Sequence, residues 1–239
     1  PGGGFAMNMD QRIRRRTACA ALLGVGGGLV LPGTTSAKAP ARQLRVKAAL
    51  NYKNSDFYHS DGTFDADAAK DVYLEMLKLA GYPIPKDPKP RMYAKDWGLG
   101  EFVNIGLGGF VWVNSKEANY CALEMLLLPG QMIPEHWHVA DEANGIGVKM
   151  ESWHVRWGKT YAYCEGEPTA KMSVKPPASQ KAYITALCET PLGVGEVAGL
   201  SKPLEKHWQQ AGPQGCIITE PSNFHSDACM RYTNPNIKA

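Results

Sequence analysis

Residues 134–138 read Pro134-Glu135-His136-Trp137-His138, Glu151 lies thirteen residues beyond His138, and six residues separate Glu151 from Gly158. In a β-strand residues i and i+2 face the same side, so the imidazoles of His136 and His138 can reach one ion. On a regular strand Lys149, Glu151, Trp153 and Val155 share one face, while Ser152, His154 and Arg156 take the other. That parity leaves His154 out of any ligand set that includes Glu151. His59 lies far from these residues in sequence and reads as a surface histidine.

The surroundings read as strands. From about Gly98 onward, short runs rich in β-branched and aromatic residues alternate with turn signals. The runs are Phe110–Val113, Tyr120–Leu128, Glu135–His138, Lys149–Trp157, Lys159–Cys164, Ala182–Glu189, Glu196–Leu200, Trp208–Gln209 and Cys216–Glu220. The breaks hold Asn114-Ser115, Pro129-Gly130, Gly158, Gly166-Glu167-Pro168 and Gly212-Pro213. This spacing predicts a sandwich or barrel. One helix precedes it, Ala66–Ala80, capped by Thr63 or Asp65 and stopped by Gly81 and Pro83. The proline-rich Pro83–Pro90 connector follows.

The pattern H-x-H … E-x6-G resembles the first motif of the cupin superfamily, whose small β-barrel holds a metal with those three side chains. The segment Gly195 … Pro203-Leu204-Glu205-Lys206-His207 resembles the second cupin motif, which supplies one more histidine. The implied site is His136, His138, Glu151 and His207, three nitrogens and a carboxylate oxygen, a set that suits Mn, Fe, Ni or Zn by ligand type. The expected fold is therefore mainly β, a cupin jelly roll with an N-terminal helical segment. Residues 1–39 are an export signal, 40–97 an N-terminal extension with the helix, and 98–239 the barrel.

A more specific resemblance runs from about Ala68 to the C-terminus. Asp96-Trp97-Gly98-Leu99-Gly100, Val111-Trp112-Val113-Asn114, the 134–138 segment, Arg156-Trp157-Gly158, Tyr161-Ala162-Tyr163 and Glu165-Gly166-Glu167-Pro168 look like the cupin-type D-lyxose isomerases. So do His207-Trp208, Gly215–Glu220 and Thr233-Asn234-Pro235. The resemblance implies interconversion of D-lyxose with D-xylulose, and of D-mannose with D-fructose, by proton transfer through an enediol. It implies a divalent ion, commonly Mn²⁺ with Zn, Fe, Ni or Co as alternatives, and a homodimer. Glu220 matches the family's proton-transfer glutamate. Lys149 matches a lysine able to donate to sugar oxygens, Trp153 is a wall for the sugar or barrel core, and Asp227 is placed to bind distal hydroxyls. This chain departs from the family in having Leu123 in place of a lysine, Ser226 in place of an arginine, and His225 as an addition. The competing functions are an Fe(II) cupin dioxygenase, which has no need of a base at Glu220, and a non-catalytic exported cupin that binds sugar or metal, which Leu123 favours.

Composition narrows the remainder. A 44% hydrophobic, 21% charged chain of 239 residues is ordinary for a globular protein, and its 25 glycines and 17 prolines favour turns over a helical bundle. Residues 1–38 carry Arg12, Arg14, Arg15, Arg16 and Lys38 against Asp10, a local charge of +4 that leaves the body near neutral. No nucleic-acid partner is expected from such a body. Residues 1–6 read as an upstream remnant before Met7 or Met9. The arginine run, a weakly apolar stretch from Ala18 to Leu31 and a small-residue site at Ala37-Lys38-Ala39 form an export pattern of the twin-arginine type. The apolar stretch is too short for a membrane span, so no stable anchor is expected, and the mature protein is expected in the periplasm or secreted. Five cysteines beyond the signal, an odd number with no C-x-x-C spacing, leave at least one thiol free or paired between chains.

Overall fold

The computed structural model describes residues 50–238. The expected export signal and the start of the N-terminal extension lie outside them.

The helix α1, Ala66–Ala80, starts where Asp65 accepts from the backbone N–H groups of Asp67 and Ala68. It stops at Gly81, whose φ of 67° is the left-handed conformation that glycine adopts without a Cβ penalty. Its buried face, Ala69, Tyr73, Met76 and Leu77, packs on the outside of the strands described next.

Nine strands follow among the described residues: β1 Met92–Lys95, β2 Leu107–Ser115, β3 Tyr120–Leu127, β4 Met132–His138, β5 Ser152–Cys164, β6 Cys188–Gly193, β7 Val197–Gly199, β8 His207–Ser222 and β9 Met230–Tyr232. Strands β5 and β8 run antiparallel along most of their length and belong to two layers at once. Beyond Cys216, β8 pairs with β3, which continues through β2 to β1, while the start of β5 pairs with β7. Near His207, β8 pairs with β4, which continues to β9, while the end of β5 pairs with β6. The layers enclose a core of Leu123, Met125, Ile133, Trp153, Val155, Ala162, Leu192 and Ile218. This is the expected barrel, with the helix laid on one outer face.

Two boundaries differ from the sequence reading. The barrel begins at Met92 rather than residue 98, because β1 pairs with β2 from Met92↔Phe110 to Lys95↔Leu107. Four residues between a proline-rich connector and Trp97-Gly98 are too few to show alternation. The four runs Lys149–Trp157, Lys159–Cys164, Trp208–Gln209 and Cys216–Glu220 fall, apart from residues 149–151 ahead of β5, on two long strands, each broken in register at its glycine signal. Gly158 pairs with Cys216 and Thr160 with Ala211, so residues 212–215 bulge out opposite Lys159. Pro213 is exposed there, where its missing N–H costs no ladder bond. Gly158 has φ 75°, and a Cβ on it would lie 2.0 Å from the Gly215 carbonyl oxygen, so no side chain fits at the crossing.

The run Ala182–Glu189 is mostly not a strand. Ala178–Tyr183 forms a 3₁₀ turn, and pairing starts only at Cys188. Cys188 faces Cys164 in register, and all five described cysteines are free thiols. No helix among the described residues is long and apolar enough to cross a membrane.

Candidate metal centre

His136 and His138 point inward from β4 and His207 from the start of β8, with His136 and His207 directly opposite in register. Glu151 sits one residue ahead of β5, bridged to Ser222. All four are buried, and their ligand atoms lie within 4.8 Å of one another. The imidazoles are pre-aimed. Nδ1 of His136 lies 2.8 Å from the Pro134 carbonyl and Nδ1 of His207 lies 2.9 Å from the Glu205 carbonyl, which turns each Nε2 toward the centre. The Nε2 atoms of His138 and His207 are buried without a hydrogen-bond partner. They lie 3.2 and 3.1 Å from the two oxygens of Glu151. Burial, and then the neighbouring histidines, hold His136 well below its ordinary pKa; burial also lowers His138. Buried imidazole nitrogens without a hydrogen-bond partner, aimed at one carboxylate, are a donor set suited to a divalent cation, so these residues fit such an ion.

Glu151 is steadied from two further sides. The Trp153 indole N–H donates to its Oε1 at 2.9 Å, and the Lys149 ammonium donates to its Oε2 at 2.6 Å. The same ammonium donates to Glu220 Oε1 at 2.5 Å. Burial by itself would raise Glu151, but Lys149 and His138 override it and hold the carboxyl well below its usual value. Glu220 goes the other way: burial, reinforced by the charge of Glu151, raises it despite Lys149. One carboxylate is thus kept ionised and its neighbour is pushed toward accepting a proton.

His207 and Glu220 share β8 yet stand thirteen residues apart, an odd spacing that would place them on opposite faces of a regular strand. The bulge at 212–215 resets the alternation. His207, Gln209 and Ala211 face inward before it; Cys216, Ile218 and Glu220 face inward after it. Over thirteen residues an extended strand would also travel roughly 43 Å. The change of layer at the bulge brings both ends to one cavity.

That cavity, of about 190 Å³, is lined by all four candidate ligands and by Lys149, Glu220 and Asp227. Of the two places read for Trp153, sugar wall or barrel core, it takes the second: it is fully buried in the core, packs on the His207 ring at 5.5 Å and donates its indole N–H to Glu151. Parity placed it on the right face of β5 but could not say how deep along the barrel it falls. Asp227 reaches the cavity with its carboxylate bound to Lys95 Nζ at 2.6 Å. Leu123 stands opposite Glu220 in register and lines the cavity as well.

Sequence reading missed Tyr93 and Lys95 on β1, Gln209 on β8, and His225, all lining residues. Gln209, two residues after His207, was within reach of the same parity argument. Tyr93 and Lys95 were not, because their strand carries no pattern.

No family model matches the chain. A D-lyxose/D-mannose isomerase of Thermosediminibacter oceani is 39% identical over 164 residues, 69% of this chain and 88% of that protein. A D-lyxose ketol-isomerase of Cohnella laeviribosi is 35% identical over 170 residues, 71% of this chain and 91% of its own. Among solved structures, the L-ribose isomerase of Acinetobacter sp. DL28 in complex with L-ribose superposes with a TM-score of 0.56 at 12% identity, over 76% of this chain and 95% of that one. The ligand-free L-ribose isomerase of Cellulomonas parahominis gives 0.56 at 12%, over 77% and 96%. These two likenesses show the fold.

Proposed function

The chain belongs to the D-lyxose isomerase family and is an aldose–ketose isomerase; from that premise we propose that it interconverts D-lyxose with D-xylulose and D-mannose with D-fructose, with manganese as its working ion. The observation that carries the reading is the pairing of two unlike carboxylates through one buried lysine, directly beside the convergent imidazoles. His136, His138, Glu151 and His207 would hold the ion. When bound, it supplies Lewis acidity that stabilises negative charge developing on the sugar oxygens.

The rest of the chemistry belongs to the chain. Glu220, raised by burial, accepts the proton from C2 through its carboxylate and returns it to C1, so one group serves as base and then as acid. Lys149 keeps that carboxylate within the cavity and offers its ammonium to the sugar oxygens on the same side. Trp153 and Lys149 fix Glu151 in place. A dioxygenase or a binding-only cupin would leave Glu220 without a task.

The test is conversion of D-lyxose and D-mannose by the purified protein with Mn²⁺, before and after chelation. Chelation should abolish turnover and Mn²⁺ should restore it. Glu220→Gln should keep its metal and its KM while kcat falls ~10²–10⁴-fold, the usual contribution of a positioned general base. Wild-type turnover in that variant would remove Glu220 from the mechanism.

We place the protein outside the cytoplasm by the arginine-led signal in residues 1–39, and read it as a homodimer, with half-exposed Trp112 and Tyr120 on β2 and β3 available for contact. If the signal is of the twin-arginine type, changing Arg14, Arg15 and Arg16 to Lys should leave folded protein in the cytoplasm. Undiminished export of that triple variant would assign it to the general secretory route.

A further inference from the structure

Four histidines line the cavity, and three of them belong to the candidate ligand set. The fourth, His225, stands apart at the rim with Lys95 and Asp227. Its Nε2 lies 3.4 Å from Asp227 Oδ1, and that same oxygen accepts from Lys95 Nζ at 2.6 Å. Its other ring nitrogen, Nδ1, is buried and has no partner.

The loop that carries it is fixed. The Asn114 side chain both accepts from the His225 backbone N–H and donates to its carbonyl, each at 2.9 Å. The Asn223 N–H donates to the Met150 carbonyl at 3.1 Å, and the Asn223 side chain accepts from the Met150 N–H at 3.0 Å. The backbone of this loop is therefore anchored both to β2 and to the segment between Lys149 and Glu151, and the ring is held by Asp227. A neutral imidazole that donates Nε2–H to Asp227 keeps a lone pair on Nδ1. A carboxylate behind one nitrogen and a free lone pair on the other is the arrangement that makes histidine a base.

Glu220 and Lys149 serve proton movement between C1 and C2, and that chemistry acts on an open chain with a free carbonyl. A five- or six-carbon aldose in water is almost entirely a cyclic hemiacetal, so ring opening must come first. We propose that His225, positioned by Asp227, opens the sugar ring before isomerisation; the assignment rests on the isomerase reading above. His225 Nδ1 takes the proton from the anomeric hydroxyl O1. The C1–O5 bond breaks as the C1–O1 double bond forms. The imidazolium, its charge held beside Asp227, then passes the same proton to O5. The hydroxy-aldehyde has the atoms of the ring it came from, and the imidazole ends neutral. His225 is a catalytic residue in this step and Asp227 a positioning residue, itself held in place by Lys95.

The experiment uses the Mn²⁺-loaded full chain, D-lyxose, and D-lyxose deuterated at C2. Turnover of His225→Ala should fall ~10²-fold, with Asp227→Asn falling less, and metal content should stay stoichiometric in both. Because ring opening then limits the rate, the isotope effect at C2 should drop toward unity, and added imidazole should restore part of the lost turnover in His225→Ala. A merely structural role would change neither the isotope effect nor the response to imidazole. Unchanged turnover in His225→Ala overturns the assignment. So does a loss that leaves the isotope effect undiminished and above unity, or a loss that imidazole does not relieve. Failure of the isomerase reading shows itself separately, as an unmodified protein that does not turn over D-lyxose, and takes this assignment with it.

Discussion

Two lysine–carboxylate contacts in this molecule have nearly the same length and opposite surroundings. Lys149 touches Glu151 at 2.6 Å and Glu220 at 2.5 Å with 5% or less of each side chain exposed. Lys95 touches Asp227 at 2.6 Å with 36% and 59% exposed. Distance does not separate them, but the solvent does. At the rim water screens the pair and competes for both partners, which leaves it worth ~0–1 kcal/mol. In the barrel all three side chains are buried against one another, so removing one member leaves the others without their main partner. At the deep site the two glutamates part, Glu151 held down by Lys149 and His138 and Glu220 raised by burial and the charge of Glu151, while the rim group can only orient its neighbours.

The comparison breaks outright if the deep end is not a metal centre. The His136→Ala/His138→Ala double variant should bind no divalent ion, measured as metal per chain after loading and dialysis. Full stoichiometry in that variant would reduce the buried cluster to a structural one.

Lys149→Met tests the energetic half of the contrast. In metal-free protein it leaves Glu151 and Glu220 buried side by side, and unfolding free energy should fall by ~3–5 kcal/mol, read from denaturant midpoints at neutral pH. Glu151 is held below its unfolded value, so its contribution is present above the ordinary glutamate range and is lost as pH falls through the depressed folded value. The gap between native and variant proteins should accordingly narrow on acidification. A variant as stable as the native chain would mean that water or the backbone already satisfies these carboxylates.

Lys95→Met is the small member of the pair. Its cost should stay below ~1 kcal/mol at neutral pH. Asp227 is held below the usual carboxylate value by the His225 hydrogen bond and by Lys95, though burial opposes this, so its stabilisation is present above about pH 4 and is lost as pH falls further. Thermal midpoints of the two proteins should converge in acid. A loss as large as that in Lys149→Met would show that exposure is not what separates the two contacts.

What was legible beforehand follows the same line between deep and rim. The inward face of β4 came from a spacing of two, and the exclusion of His154 from the parity of the strand after Glu151. His154 is half-buried on the far side of β5, beside Arg156. Helix α1 was legible because cap, apolar face and stop all lie within one short stretch. The rim was not, since its residues come from β1, the Asn114 end of β2 and the loop after β8, and no local pattern ties them together. Trp153 shows the limit of parity: a period of two names a face, while depth along the barrel comes from the register of neighbouring strands. The continuity of β8 was hidden by Gly212-Pro213, a dipeptide that signals a turn in isolation and here marks a bulge.

That bulge also bears on how such a chain can change over generations. Within the bulge Gly212 and Gly215 are buried against Gly130 and Leu127, but Pro213 is exposed, so a gain or loss of length at Pro213 falls outside the ladder and leaves His207 and Glu220 in their own registers. An insertion between Cys216 and Glu220 would instead rotate the carboxylate to the outer face. The strand thus works as two halves joined at one exposed residue. One half carries His207 and the other Glu220, and either can be re-tuned without re-registering its partner.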